Sequence, residues 1–374
     1  MPHTPFHRID KNHFTVSRIA GAIHQHLATY VISGLLIGTL TGCGGGGSSS
    51  STSNSSASES STDTTAAAEV STTTDTTADE SSNNETTTDV ELSALDVELK
   101  ALIDTFSWNP DPLAERSLPD IDSPLAQLGK ALFFSKSLGG DFDVACASCH
   151  HPLLGGDDDL SLPVGVGAFD PSLLGHGREH NDGLPNVPRN SPTTFNAGLW
   201  DTALFWDGRV ESEGQEDNAN GSVSGIRTPD TEFNVVDTNA GDNLVAAQAR
   251  FPVTSSEEMK SEFFEAGSDN TTIRDHLAAR LGDYGVGSGE LARNEWLVAF
   301  QEAYGTAEDA STLITFDNIA HAIGEYQRSQ VFVDSPWLNY VNGETNAMTD
   351  EQKEGAILFF TSVDEGGGWV FRLS

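Results

Sequence analysis

Two thiols and an imidazole are packed into five residues, Cys146-Ala147-Ser148-Cys149-His150, in a chain whose only other cysteine is Cys43. Cys-x-x-Cys-His is the attachment signature of a c-type haem. Thiols three positions apart reach the two vinyl groups on one porphyrin edge and form thioethers. The next residue then lies under the iron and supplies an imidazole nitrogen as proximal ligand. Two other chemistries use paired cysteines. A structural zinc site usually needs four N or S ligands, and Cys43 alone remains elsewhere in the chain. A thioredoxin-type redox pair needs a strand before the motif and a helix opening at it. The preceding segment, SPLAQLGKALFF, instead puts Leu125, Leu128 and Leu132 on one helical face, with Ser123-Pro124 as a helix start. The expectation is one covalent haem c on Cys146 and Cys149, with His150 as proximal iron ligand.

Haem attachment to thiols normally takes place outside the cytoplasm, so an export signal should precede the motif. The apolar run YVISGLLIGTLTGC (30–43) follows a positive region of Arg8, Lys11 and Arg18. The run is too short and too glycine-rich for a comfortable membrane span. Leu40-Thr41-Gly42-Cys43 resembles a bacterial lipobox, so residues 1–42 read as a lipoprotein-type signal peptide and Cys43 as the lipidated residue. The alternatives are an ordinary signal peptide cut elsewhere, or a start codon placed too early. Residues 44 to about 92 hold no aromatic residue, no lysine and no arginine. Such a segment cannot bury enough apolar surface to offset its ordering entropy and reads as a flexible Ser/Thr-rich tether. The expected location is periplasmic or cell-envelope, anchored by lipid to a membrane.

The formal net charge is −37. That excludes a nucleic-acid partner, which needs a basic surface. It suits a basic redox protein as electron donor, steered by the opposite field, or equally a solvated acidic surface in a salty habitat.

Folded sequence begins near Ala94, with Leu95, Leu99, Leu102, Ile103 and Phe106 at helical spacing. RNEWLVAFQEAYG repeats the pattern with Leu297, Phe300 and Tyr304, and TFDNIAHAIGEYQRSQ with Phe316, Ile319, Ile323 and Tyr326 behind a Thr315 cap. TDEQKEGAILFF opens with a capping box, Thr349 and Gln352. Alternating strands are scarce. The region between His150 and Ser256 is rich in Gly, Pro, Asn and Asp and reads as long ordered loops, which something must organise; a large flat haem would do so. The expected fold class is mainly α, a cytochrome c-like helical domain wrapped on a covalent haem. LGKALFFSKSLGG and EGAILFFTSVDEGGG (354–368) share a helix-then-loop character. The first leads into Cys146, whereas after the second the sequence runs WVFRLS without a second Cys-x-x-Cys-His.

LGKALFFSKSLGGDFDVACASCHHPLLGGDD, RNSPTTFNA, LFWDGRV and FPVTSSEEM, in this order, resemble the bacterial di-haem cytochrome c peroxidases and their MauG-like relatives over roughly residues 95–368. The resemblance implies two cytochrome c-like helical domains with one haem each and calcium between them. It places the peroxidatic domain at 94–335 and a truncated start of the second at 336–374. On matching positions it implies Cys146 and Cys149 as thioether cysteines, His150 as proximal ligand and Asn190 at the calcium site. It further implies Phe205, Gln248 and Pro252 as distal-pocket residues, Trp206 as the tryptophan between the haems and Glu258 as the acid–base carboxylate. Read without it, Phe205 and Trp206 are core aromatics, Asn190 is turn chemistry, and Glu258 completes a capping box begun by Ser255. Family members with a closed resting state supply a distal histidine from a stretch that here, SLPVGVGAF, has none. His176 and His180 are the candidates after an insertion; without either, the iron is open.

The function so implied is reduction of hydrogen peroxide with electrons from a small cytochrome or similar redox protein. Its rivals are a mono-haem electron carrier without catalysis and a non-functional truncated remnant.

Overall fold

The computed structural model describes residues 92–106 and 111–361. The expected signal segment, Cys43, the tether and the last residues from 362 onward lie outside the described residues. Among the described residues ten α-helices follow in order: α1 (Ala94–Phe106), α2 (Pro124–Phe133), α3 (Cys146–Cys149), α4 (Leu244–Gln248), α5 (Asn270–Gly282), α6 (Trp296–Tyr304), α7 (Ala310–Leu313), α8 (Phe316–Arg328), α9 (Pro336–Val341) and α10 (Asp350–Phe360). One small antiparallel sheet, β1 (Ala203–Leu204), β2 (Val210–Ser212) and β3 (Ile226–Arg227), pairs Leu204 with Val210 and Ser212 with Ile226. The fold is mainly helical, as the periodicity implies. Among the described residues no helix is long and apolar enough to cross a membrane.

The helix starts are set by side chains. The Ser123 hydroxyl accepts from the Ala126 N–H at 3.3 Å with Pro124 in the first turn, and Thr315 accepts from the Asn318 N–H at 3.3 Å. Thr349 and Gln352 form the reciprocal capping box. Each cap satisfies an amide that the helix itself leaves without a partner.

The main core joins α2, α5, α6 and α8. Leu128, Leu132 and Phe133 meet Ile319, Ile323 and Tyr326, with Leu277, Leu281 and Phe300 closing the cluster. Phe133 and Tyr326 stand edge to face, centroids 5.3 Å apart. The α2–α8 approach is so close that a Cβ on Gly129 would lie 1.8 Å from the Ala322 carbonyl oxygen. Arg280 of α5 reaches back to the Ser137 and Gly139 carbonyls at 3.1 and 2.8 Å, fixing the chain that leads into α3. A second, smaller cluster packs Leu244, Ala247 and Phe251 on Val210 and Ile226 of the sheet.

α1 lies against α10, across the boundary expected at residue 335. The buried Asp96 joins them. It pairs with Lys353 Nζ at 2.8 Å and accepts from the Tyr340 hydroxyl at 2.9 Å. These partners outweigh its desolvation and hold its carboxyl far below the usual range.

Candidate active site

α3 is a single turn, too short to be held by its own hydrogen bonds. The Ser148 hydroxyl accepts from the Ala145 N–H at 3.0 Å, and the His150 N–H returns to the Cys146 carbonyl at 3.0 Å. Among the described residues no strand precedes the motif, as a thioredoxin-type pair would need; α2 and a short 3-10 turn do. Both thiols are free, and burial pushes each up to about 12. A reactive redox cysteine is displaced in the other direction, so burial disfavours thiol–disulfide exchange at this pair.

The imidazole of His150 is held chiefly at Nδ1, with the Ser191 hydroxyl 3.2 Å from Nδ1 and 3.4 Å from Nε2. Nδ1 lies 2.9 Å from the Pro192 carbonyl and 3.2 Å from that of Gly156. Carbonyls only accept, so Nδ1 carries the proton and Nε2 is left with a lone pair, the form in which histidine binds iron. Burial pushes the ring's pKa down, against the two carbonyl hydrogen bonds, which favours this neutral state. Ser191 donates to the Cys149 carbonyl at 2.7 Å, so the RNSP segment and the motif are tied together. Two protonated, unpaired thiols beside an imidazole with a committed tautomer are the donor set that a covalent haem requires.

Glu258 lies on a wide turn, Ser256–Lys260, in which the Lys260 N–H reaches the Ser255 carbonyl five residues back at 2.8 Å. Turns of this π type concentrate at functional sites. The Ser255 hydroxyl caps it by accepting from the Glu258 N–H at 3.2 Å. The Glu258 carboxyl takes no part in a reciprocal box, so the cap uses its backbone and leaves the side chain for other work. Burial pushes this carboxyl above the ordinary range, Arg209 opposes the shift, and Glu257 adds to it.

The histidine-free stretch SLPVGVGAF straps this turn from below. The Val166 N–H donates to the Glu257 carbonyl at 3.2 Å, and Asn186 Nδ2 donates to the same carbonyl at 3.0 Å. A Cβ on Gly165 would stand 2.1 Å from that oxygen, so only glycine passes here.

A family model described as di-haem cytochrome c peroxidase, covering MauG, matches residues 123–346. The chain belongs to this family. It is 28% identical over 253 residues to the cytochrome c551 peroxidase of Pseudomonas aeruginosa, covering 68% of this chain and 52% of that one. It is 26% identical over 250 residues to the methylamine utilization protein MauG of Methylorubrum extorquens, covering 67% and 49%. The crystal structure of the diheme peroxidase BthA from Burkholderia thailandensis aligns with a TM-score of 0.40 at 20% identity, covering 67% and 48%. The chain spans about half the length of the curated relatives it matches.

The remaining residues singled out by this family resemblance are placed as follows. Phe205 takes a left-handed backbone, φ 63°, costly for an aromatic residue. Its ring lies under the Arg209 guanidinium at 3.5 Å and edge-on to Phe251 at 6.5 Å. Gln248 ends α4, and Pro252 opens the next turn; both are half-buried. Phe251, beside Pro252, thus links Phe205 to the run that leads to Glu258. Trp206 is 69% exposed, not a core aromatic, and Arg189 stacks on it at 3.3 Å. Asn190 is exposed and donates to the Leu160 carbonyl at 2.8 Å. His176 is exposed, and His180 Nδ1 is bound to Asp182 at 2.6 Å. Among the described residues, no three His, Cys, Asp or Glu side chains gather as metal ligands.

Sequence reasoning passed over Arg178, Asn186, Arg189 and Arg209. One signal was available. With 19 basic residues against 56 acidic ones, each arginine is scarce enough to question singly.

Proposed function

We propose that this chain carries the peroxidatic site of a haem-dependent peroxidase, reducing hydrogen peroxide to water with electrons from a cytochrome c-type donor. The observation that carries the reading is Glu258. It is a half-buried carboxyl whose pKa desolvation raises, on a strapped turn near enough to Cys149 for its charge to raise that thiol's pKa. When bound, a haem supplies the redox equivalents for the O–O cleavage, the chemistry being the cofactor's. Cys146, Cys149 and His150 would hold it. Glu258 accepts the proton from one peroxide oxygen and returns it to the other, which leaves as water. Gln248 orients the peroxide, Phe205 and Pro252 exclude bulk water, and Trp206 passes electrons inward.

The test is rapid mixing of holo-protein with peroxide, followed at the haem absorption band. Glu258→Gln should keep haem content and slow the first step by at least about tenfold, a low bound for general acid–base help. Glu257→Gln should change it little. A raised pKa keeps Glu258 protonated, and so unable to accept, up to a higher pH than an ordinary glutamate. The wild-type rate should therefore climb with pH through a midpoint above the ordinary carboxylate range, a limb that Glu258→Gln removes. Equal rates in Glu258→Gln and wild type would take Glu258 out of the mechanism.

The same reading includes one covalent haem on this sequence, a calcium ion reached by Asn190, and a lipid anchor at Cys43 in the periplasm or cell envelope. Elemental analysis of the purified holo-protein counts iron and calcium per chain. Membrane fractionation of Cys43→Ser against wild type tests the anchor, which fails if both partition alike.

A further inference from the structure

We propose that Arg189 is an electrostatic brake on electron removal from Trp206: its guanidinium, stacked on the indole, raises the one-electron potential of that ring. The inference rests on the reading of Trp206 as an electron relay and deepens it.

Two consecutive rings each carry an arginine, Phe205 under Arg209 at 3.5 Å and Trp206 under Arg189 at 3.3 Å. The two cations differ in one respect. Arg209 is neutralised by Asp207 at 2.9 Å. Arg189 has no ion pair or hydrogen bond among the described residues, whereas every other arginine there has at least one, to a carboxylate or a carbonyl. In a chain with 56 acidic residues, an arginine with neither a carboxylate nor a carbonyl partner is the exception. The bare cation thus sits on the ring that can be oxidised, and the compensated one on the ring that cannot.

The placement is anchored at its base. Asn190 is bound to Leu160, Ser191 to the Cys149 carbonyl, and Pro192 accepts from His150 Nδ1. The segment that sets the proximal imidazole therefore also sets the backbone of Arg189.

A neutral indole attracts a cation through the negative face of its π system. When the ring gives up one electron it becomes a cation, and attraction turns to repulsion. In the proposed step, Trp206 loses one electron to the haem centre that peroxide has oxidised. The donor then returns one electron to Trp206, and the indole N–H keeps its proton throughout. Arg189 disfavours the intermediate radical cation, so the hole does not dwell on a ring open to solvent. Losing both the cation–π attraction and the repulsion corresponds to about a tenfold change in the radical population for exposed groups.

The experiment is freeze-quench electron paramagnetic resonance of the holo-protein after one equivalent of peroxide, in wild type, R189Q, R189K and W206F. R189Q should raise the indolyl radical yield about tenfold. R189K, which keeps the charge but not the planar stack, should fall between. Added salt should move wild type toward R189Q, because an exposed charge is screened. Equal yields in wild type and R189Q, with the signal lost in W206F, would overturn the brake and leave the relay standing. Equal changes in R189K and R189Q without salt dependence would reduce Arg189 to a prop and overturn the brake as well. A signal that survives in W206F would overturn the relay, and the inference with it.

Discussion

The α2–α8 pair and the chain between residues 150 and 243 are held by different atoms. Between the helices the contact is carbon on carbon. Leu128, Leu132 and Phe133 face Ile319, Ile323 and Tyr326, and each backbone has already satisfied its own polar groups. The loop stretch has little apolar surface to trade. Its stability comes from single polar side chains that collect backbone groups. Arg178 is buried and donates to the carbonyls of Val164, Gly165 and Leu173 at 2.8, 2.9 and 3.0 Å. Asp201 pairs with Arg116 at 2.7 Å and accepts from the Asn218 and Asn220 amides at 3.0 and 2.8 Å. Asn220 in turn donates to the Trp200 carbonyl at 2.6 Å. Irregular backbone that lies inside a protein must find such partners or forfeit about 1–3 kcal/mol for each group left bare. These side chains tie together much of the long loop stretch between the haem-type motif and α4.

The two modes should fail differently, and the helix pair should fail harder. At Gly129 the obstacle to a side chain is a backbone carbonyl, not the end of a flexible side chain. Gly129→Ala must push α2 and α8 apart along their whole contact. Overpacking of this kind costs typically 1–3 kcal/mol and sometimes more, and about 3 kcal/mol or above is expected here. The loss should be global: urea unfolding followed by tryptophan fluorescence and by circular dichroism should shift together. A midpoint unchanged from wild type would show that the helices do not approach so closely.

The same contrast explains what was legible in the sequence. Helices begun by a capping side chain and carrying an apolar stripe, such as α2, α8 and α10, follow from local rules. α5 does not, because two of its inward positions are Arg274 and Arg280, which an apolar pattern counts as outward. Arg274 is buried against the Arg250 carbonyl and Asp230, and Arg280 against Glu290 and the carbonyls before α3. The strands of the small sheet are two or three residues long, too short to show alternation. At the site, Cys146, Cys149 and His150 are readable because Cys-x-x-Cys-His is a spacing that the dimensions of a covalent haem dictate wherever one is attached. Glu258 was singled out by family resemblance alone. Asn186 reaches a carbonyl 71 residues away, and such a contact leaves no periodic trace.

Arg178 offers the gentler break and the sharper test of the comparison. Arg178→Met keeps much of the side chain's volume and removes its fork of donors, leaving the Val164, Gly165 and Leu173 carbonyls without their partner. Lysine has one compact head and cannot serve the same set of carbonyls, so Arg178→Lys should rescue only in part. The freed carbonyls lie in loops that can open to water, so the penalty should appear as local opening rather than collapse. A global loss of about 1 kcal/mol, at the low end for unsatisfied buried groups, is expected alongside much faster cleavage within residues 160–185. Limited proteolysis with mapping of the first cut measures the local part, and urea unfolding the global part. The opening has a consequence at the site, because the Val166 N–H that holds the Glu257 carbonyl belongs to the same loop. Peroxide reactivity should therefore fall before the helical core loosens. If Arg178→Met instead lowers the unfolding midpoint as far as Gly129→Ala, with no early cut in the loop, the two regions form one cooperative unit and the distinction between them is lost.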